Sequence, residues 1–151
     1  MADEDGVPRQ GRLLGVDVGA SRVGLARTDP LQIIPSSIGT FAPKESLEHI
    51  ARCIEQEGPV GGIVVGWPLQ EGQMEGDPPS ATQQLVQRYV NKLKGRFPHI
   101  PVRRVDEYLS SREAMGILVG SGVPKSKRRE KGRLDAAAAC VILQRYLQSR
   151  E

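Results

Sequence analysis

The alternation and clustering of apolar positions predict most of the elements of this chain. Arg12–Val18 (RLLGVDV) is a short apolar run that reads as a buried strand. Gly19-Ala20-Ser21-Arg22 is turn-like, and Val23–Thr28 reads as a second strand closing a hairpin. Residues 33–41 give a third strand, with Pro35 demoting its start to an edge or a bulge. The period then changes: Leu47, Ile50, Ala51 and Ile54 fall at i, i+3, i+4 and i+7, one face of a helix that Gly58-Pro59 stops. The near-continuous apolar run 61–66 (GGIVVG) is typical of a central parallel strand covered on both faces. Residues 67–79 form a long Gly/Pro/acidic loop. Ser80 can cap a helix carrying Leu85, Val86, Tyr89, Val90 and Leu93. Residues 98–105 give a further short strand, Ser110 or Ser111 can cap a short helix with Ala114, Ile117 and Leu118, and residues 120–132 form a loop. The last helix runs from residue 134 to about 148.

Antiparallel strands first, then an alternation of strands and helices, argue for an α/β domain with one central mixed sheet and helices on both faces. The polar segment 1–11 reads as a disordered tail, leaving 12–151 as one domain of ordinary size. No internal repeat is visible. Aromatic residues make up 4 % of the chain, so the core is expected to be mostly aliphatic. No apolar run is long enough to span a membrane and no basic-then-apolar leader opens the chain, so a cytoplasmic protein is expected. Cys53 and Cys140 lie far apart beside aliphatic neighbours and read as buried thiols.

Candidate chemistry enters through three acidic positions. Asp17 interrupts an otherwise apolar strand, and a carboxylate there is costly unless a partner or a metal compensates it. The ordinary alternative is a pair with Arg22 or Arg27. Gly15 and Gly19 leave the neighbouring backbone bare for close approach. Asp106-Glu107 ends a strand; residues 102, 104 and 106 share one face and 103, 105 and 107 the other, so only one of the two acids can point the way of Val105. Asp135 opens an alanine-rich helix, where an acid favours the helix dipole for ordinary reasons. The four alanines that follow would let that helix lie close to the sheet and bring Asp135 next to a strand carboxylate. Converging carboxylates repel unless a cation lies among them, and hard divalent ions take such oxygen ligands. His49 and His99 read as surface residues.

Charge changes the picture at one place. The net charge is only +3, but Lys125, Lys127, Arg128, Arg129, Lys131 and Arg133 face the single acid Glu130 just before Asp135. That is a candidate phosphate-binding patch with sequence-independent, salt-sensitive affinity. It has no interleaved aromatics, so base stacking is not its expected mode.

These segments together resemble the YqgF/RuvX family of Holliday junction resolvases over about residues 12–149. The resemblance is carried by Gly15-Val16-Asp17-Val18-Gly19 through Ala26, by Val65-Gly66-Trp67-Pro68-Leu69 with Gly72, by Asp106-Glu107 with Ser110-Ser111, and by Lys131 and Leu134-Asp135-Ala136-Ala137-Ala138 through Leu147. It implies an RNase H-like fold with a five-stranded sheet, similar to RuvC. It also implies a catalytic, metal-holding set of Asp17, Glu107 and Asp135, with Mg²⁺ or Mn²⁺ as a pair of ions. Arg22, Lys125, Lys127, Arg128, Arg129 and Lys131 are the expected nucleic-acid contacts. Where the family usually has an arginine after the acidic pair, this chain has Tyr108. The implied activity is a bacterial endonuclease on structured nucleic acid, branched DNA or the 5′ end of pre-16S rRNA; symmetric incision of a junction favours a homodimer.

Two other classes fit parts of the sequence. Asp17-Val18-Gly19 also resembles the first phosphate loop of actin-like ATPases and sugar kinases, which need two related subdomains that a short chain without a repeat cannot supply. A non-catalytic RNA-binding or transcription accessory module of the same fold is the other. Retention of all three acids favours activity over that module.

Overall fold

A computed structural model describes residues 2, 3, 6–70, 72–106 and 131–150, and for 131–134 the backbone alone. The elements are β1 (Arg12–Val18), β2 (Val23–Thr28), β3 (Pro35–Phe41), α1 (Pro43–Gln56), β4 (Val60–Trp67), α2 (Ala81–Arg96), β5 (Val102–Asp106) and α3 (Lys131–Ser149). The short helix expected after Ser110 lies outside the described residues.

The five strands form one sheet in the order β3-β2-β1-β4-β5. β1 pairs antiparallel with β2 and β2 with β3, while β4 runs parallel to both β1 and β5. This is the mixed five-stranded sheet with helices on both faces that the resemblance implies. The third strand begins at Pro35, two residues later than expected, at the edge of the sheet where a missing N–H breaks no ladder bond. The first helix begins earlier than its periodic stripe, with Pro43 in its first turn, where proline's fixed φ suits a helix start. Ser80 caps α2 as expected: its side chain accepts the Gln83 N–H while the Gln83 side chain accepts the Ser80 N–H. Buried Gln83 also donates to the Pro68 carbonyl at 2.8 Å, tying the loop after β4 to α2. The last strand is shorter than the expected 98–105.

Strand parity divides the core in two. Leu14, Val16, Val18, Leu25, Ile63, Val65 and Val102 face α1 and α2, packing with Ile50, Val86, Tyr89 and Leu93. Leu13, Ala26 and Val64 face α3, packing with Ala139, Cys140, Ile142, Leu143 and Tyr146. Every residue from 136 to 143 is buried, as expected of a helix that is apolar on all sides.

The N-terminal segment differs from the disordered tail that its composition suggests. Val7 is 1 % exposed and belongs to the α3-side core, where Gly62, lacking a side chain, leaves room for it. The Asp3 carboxylate accepts hydrogen bonds from the Tyr146 hydroxyl and the Val7 N–H. Buried Gln32, held at φ 60°, donates to the carbonyls of Pro8 and Gly11 and accepts from Arg150. One apolar residue is enough to anchor a polar segment when a bare strand backbone receives it. Val7→Ala is therefore expected to cost about 1–2 kcal/mol in urea unfolding, the value of two buried methyl groups; an unanchored tail would give no change.

Both cysteines are free and buried. Burial pushes the Cys53 thiol up to about 11, with Glu57 beside it acting in the same direction, and burial likewise raises that of Cys140. The thiolate is the reactive form. Neither thiol should react with a disulfide reagent at mildly alkaline pH in the native protein, and both should react once urea unfolds it.

Candidate carboxylate site

The site grows from the hairpin that opens the chain. Asp17 is the sixth residue of β1, half-buried between buried Val16 and Val18. It lies directly opposite Gly24 of β2, and residues opposite one another in a sheet project to the same face. That face is the α3 side, shared with Leu13 and Gly15. The turn is closed by the Gly19 N–H donating to the Arg22 carbonyl at 2.8 Å. Arg22 is half-buried in that turn, one residue before β2. Arg27 faces the other way and pairs with Glu57 at 2.8 Å, so it is committed away from Asp17.

Gly24 determines where the helix goes. A Cβ built on it would lie 2.2 Å from the carbonyl oxygen of Asp135 and 2.9 Å from the Ala136 nitrogen. The α3 backbone at Asp135 thus rests on the bare strand backbone opposite Asp17. About one turn further on, a Cβ on Gly15 would lie 2.7 Å from the Ala139 carbonyl oxygen. Two glycines on adjacent strands and the alanines of the helix form one close contact, and it brings half-buried Asp135 beside the row that carries Asp17.

The third acid is decided by parity for one candidate. Asp106 is paired in register with Trp67, and both follow Val102 and Val65 onto the α1/α2 face. Asp106 therefore lies on the face opposite Asp17 and is exposed. Its backbone carbonyl accepts a bond from Arg145 of α3 at 3.1 Å. Glu107 lies outside the described residues, as do Lys125, Lys127, Arg128 and Arg129; Lys131 is the first residue of α3, one turn before Asp135. Among the described residues no three His, Cys, Asp or Glu side chains converge as a metal site. Asp17 and Asp135 sit on elements that meet at Gly24, and their carboxylates are hard oxygen donors of the kind a divalent ion such as Mg²⁺ takes.

Sequence reasoning missed a pair on the opposite face. The guanidinium carbon of Arg104 lies 4.0 Å from the centroid of the Trp67 ring. The two residues are far apart in sequence, and only the parallel pairing of β4 with β5 brings them together.

The fold is an α/β domain whose last helix rests backbone to backbone on the hairpin strand facing Asp17. A family model described as Holliday junction resolvase, RuvX, matches residues 11–149. A protein of Chlorobium luteolum named "Putative pre-16S rRNA nuclease" is 48% identical over 139 residues, covering 92% of this chain and 95% of that protein. Another of the same name, from Salinibacter ruber, is 41% identical over 138 residues, covering 91% and 93%. The chain belongs to the RuvX family. Thermus thermophilus RuvC in complex with a Holliday junction substrate aligns with 91% of this chain and 95% of its own at 15% identity and a TM-score of 0.49, a likeness too loose to add to the family match. Among the described residues no helix is long and apolar enough to cross a membrane.

The contact at Gly24 generates a test. Gly24→Ala forces a methyl group into the Asp135 backbone and should cost about 3 kcal/mol in urea unfolding, the upper end of overpacking penalties. Gly95→Ala in α2, where nothing lies within 4 Å, should be neutral or stabilising.

Proposed function

We propose that this protein is a metal-dependent endonuclease acting on structured nucleic acid, either resolving Holliday junction DNA, trimming the 5′ end of pre-16S rRNA, or both. Membership of the RuvX family and the names carried by its relatives support the activity. The observation that carries the site is the seating of the Asp135 backbone on Gly24, opposite Asp17.

Asp17, Glu107 and Asp135 are the catalytic residues of this reading, and they hold Mg²⁺ or Mn²⁺ as two ions. When bound, such ions lower the pKa of a water and offset charge on the departing oxygen of a phosphodiester. The carboxylates would hold the ions at this end of the sheet and accept a hydrogen bond from the attacking water, so that hydrolysis leaves 5′-phosphate and 3′-hydroxyl ends. Arg22 in the hairpin turn and Lys125, Lys127, Arg128, Arg129 and Lys131 neutralise flanking phosphates, a sequence-independent attraction that weakens with salt. A junction with two-fold character suits a homodimer. The protein works in the bacterial cytoplasm. The exclusion of Asp106 by parity favours Glu107 as the third ligand.

The test is cleavage of labelled four-way DNA junctions and of structured RNA, side by side, with Mg²⁺ or Mn²⁺. Wild type should cut at least one of them. Asp17→Asn and Asp135→Asn should each lower the rate by at least about 100-fold, since even outer-shell changes around a metal cost 10–100-fold. Undiminished cleavage by both variants would sink the site. Binding of both substrates without cleavage would instead support the non-catalytic accessory module.

A further inference from the structure

A cavity of about 470 Å³ opens on the sheet face opposite Asp17. Its lining is Trp67, Pro79, Gln84, Gln87, Arg88 and Arg104. Trp67 ends β4, and Arg104 is the third residue of β5. Parallel pairing puts the ends of β1, β4 and β5 at one end of the sheet, so the cavity and the carboxylates share that end on opposite faces.

The lining has an unusual composition for a structural crevice. The half-buried Trp67 indole supplies an aromatic wall, with the exposed Arg104 guanidinium over it at 4.0 Å. Arg104 has a long contact with Gln87 at 3.5 Å. Arg88 is exposed, and neither arginine forms an ion pair among the described residues. Among the described residues no carboxylate lines the cavity. A planar apolar surface beside two unneutralised guanidiniums matches a ligand that joins a flat ring to an anion. Unpaired nucleotides have that form, and proteins hold them by stacking bases on aromatic rings and arginine planes.

We infer that this cavity binds an unpaired nucleotide of the nucleic-acid substrate, its base stacked on the Trp67–Arg104 pair and its phosphates drawn to Arg88 and Arg104. The inference rests on the nucleic-acid reading above but assigns a site apart from the carboxylates. A strand leaving the carboxylates passes around the end of β4 and meets the cavity. An open junction or a single-stranded RNA end offers such a base, whereas a fully paired duplex does not.

Trp67 is the sole tryptophan of the chain, so tryptophan-selective fluorescence reports this cavity. Titration with short unstructured DNA and RNA oligonucleotides, in EDTA so that no cleavage occurs, should quench that fluorescence to saturation. An abasic strand of equal length and inorganic phosphate should leave it unquenched. Arg88→Gln and Arg104→Gln, both at exposed positions, should each weaken binding about tenfold, the equivalent of one stacking or ionic contact. Equal quenching by the abasic strand, or wild-type affinity in both variants, would overturn the proposal. Junction or RNA cleavage by a protein whose Trp67 never responds would sink the cavity and leave the nuclease reading standing. Absence of both binding and cleavage would sink the two together.

Discussion

Everything at the candidate site depends on how closely α3 can approach the sheet. Helices normally stand off a sheet by the length of the side chains between them. Here Gly15 and Gly24 remove the strand side chains and Ala136 through Ala139 shorten those of the helix, so backbone meets backbone at Asp135 and Ala139. Interiors are close-packed and do not deform continuously. A single methyl group at Gly24 would therefore displace the first turns of α3 rather than be absorbed. The same contact that buries the helix also decides which strand carboxylate Asp135 can reach.

The two faces of the sheet are built on different scales. Toward α1 and α2 the strands present Leu14, Val16, Leu25, Ile63 and Val65, and the helices answer with Ile50, Tyr89 and Leu93. Toward α3 the sheet presents Gly15, Gly24 and Ala26 alongside Leu13 and Val64. Tight packing on one face makes a site at the backbone level, where carboxylates from two elements can meet. Bulkier packing on the other leaves a cavity at the end of the sheet, walled by the tryptophan and arginine that terminate the core. Strand parity is what keeps the two apart: Asp17 and Asp106 end neighbouring portions of one sheet, yet they belong to opposite faces.

Most of the fold was legible because its signals are local. The hairpin follows from two apolar runs and a four-residue turn, α1 from its i, i+3, i+4, i+7 stripe, and β4 from an uninterrupted apolar run. The cap of α2 follows from Ser80 standing just before an apolar helical stripe. The close approach of α3 to the sheet was also legible, since four small alanine side chains let a helix lie near the strands. The packing of the N-terminal segment was not, because Val7 is one apolar residue among polar ones and its receptor at Gly62 lies on another strand. Nor was the Trp67–Arg104 contact, which exists only through the β4–β5 register. Sequence period identifies faces within an element; it does not say which faces of distant elements coincide.

The arrangement also explains why the scaffold must be strong where the site is costly. Asp17 and Asp135 are both half-buried, and burying a charged group is costly unless something compensates it. The favourable terms lie one turn further along the helix, where Ala139, Ile142, Leu143 and Tyr146 pack on Leu13, Val64 and Val7. Tyr146 is in turn fixed to Asp3, so the N-terminal segment clamps the far end of the helix whose second turn carries Asp135. The helix is anchored at its apolar end, and that anchoring fixes where the Asp135 backbone meets the sheet.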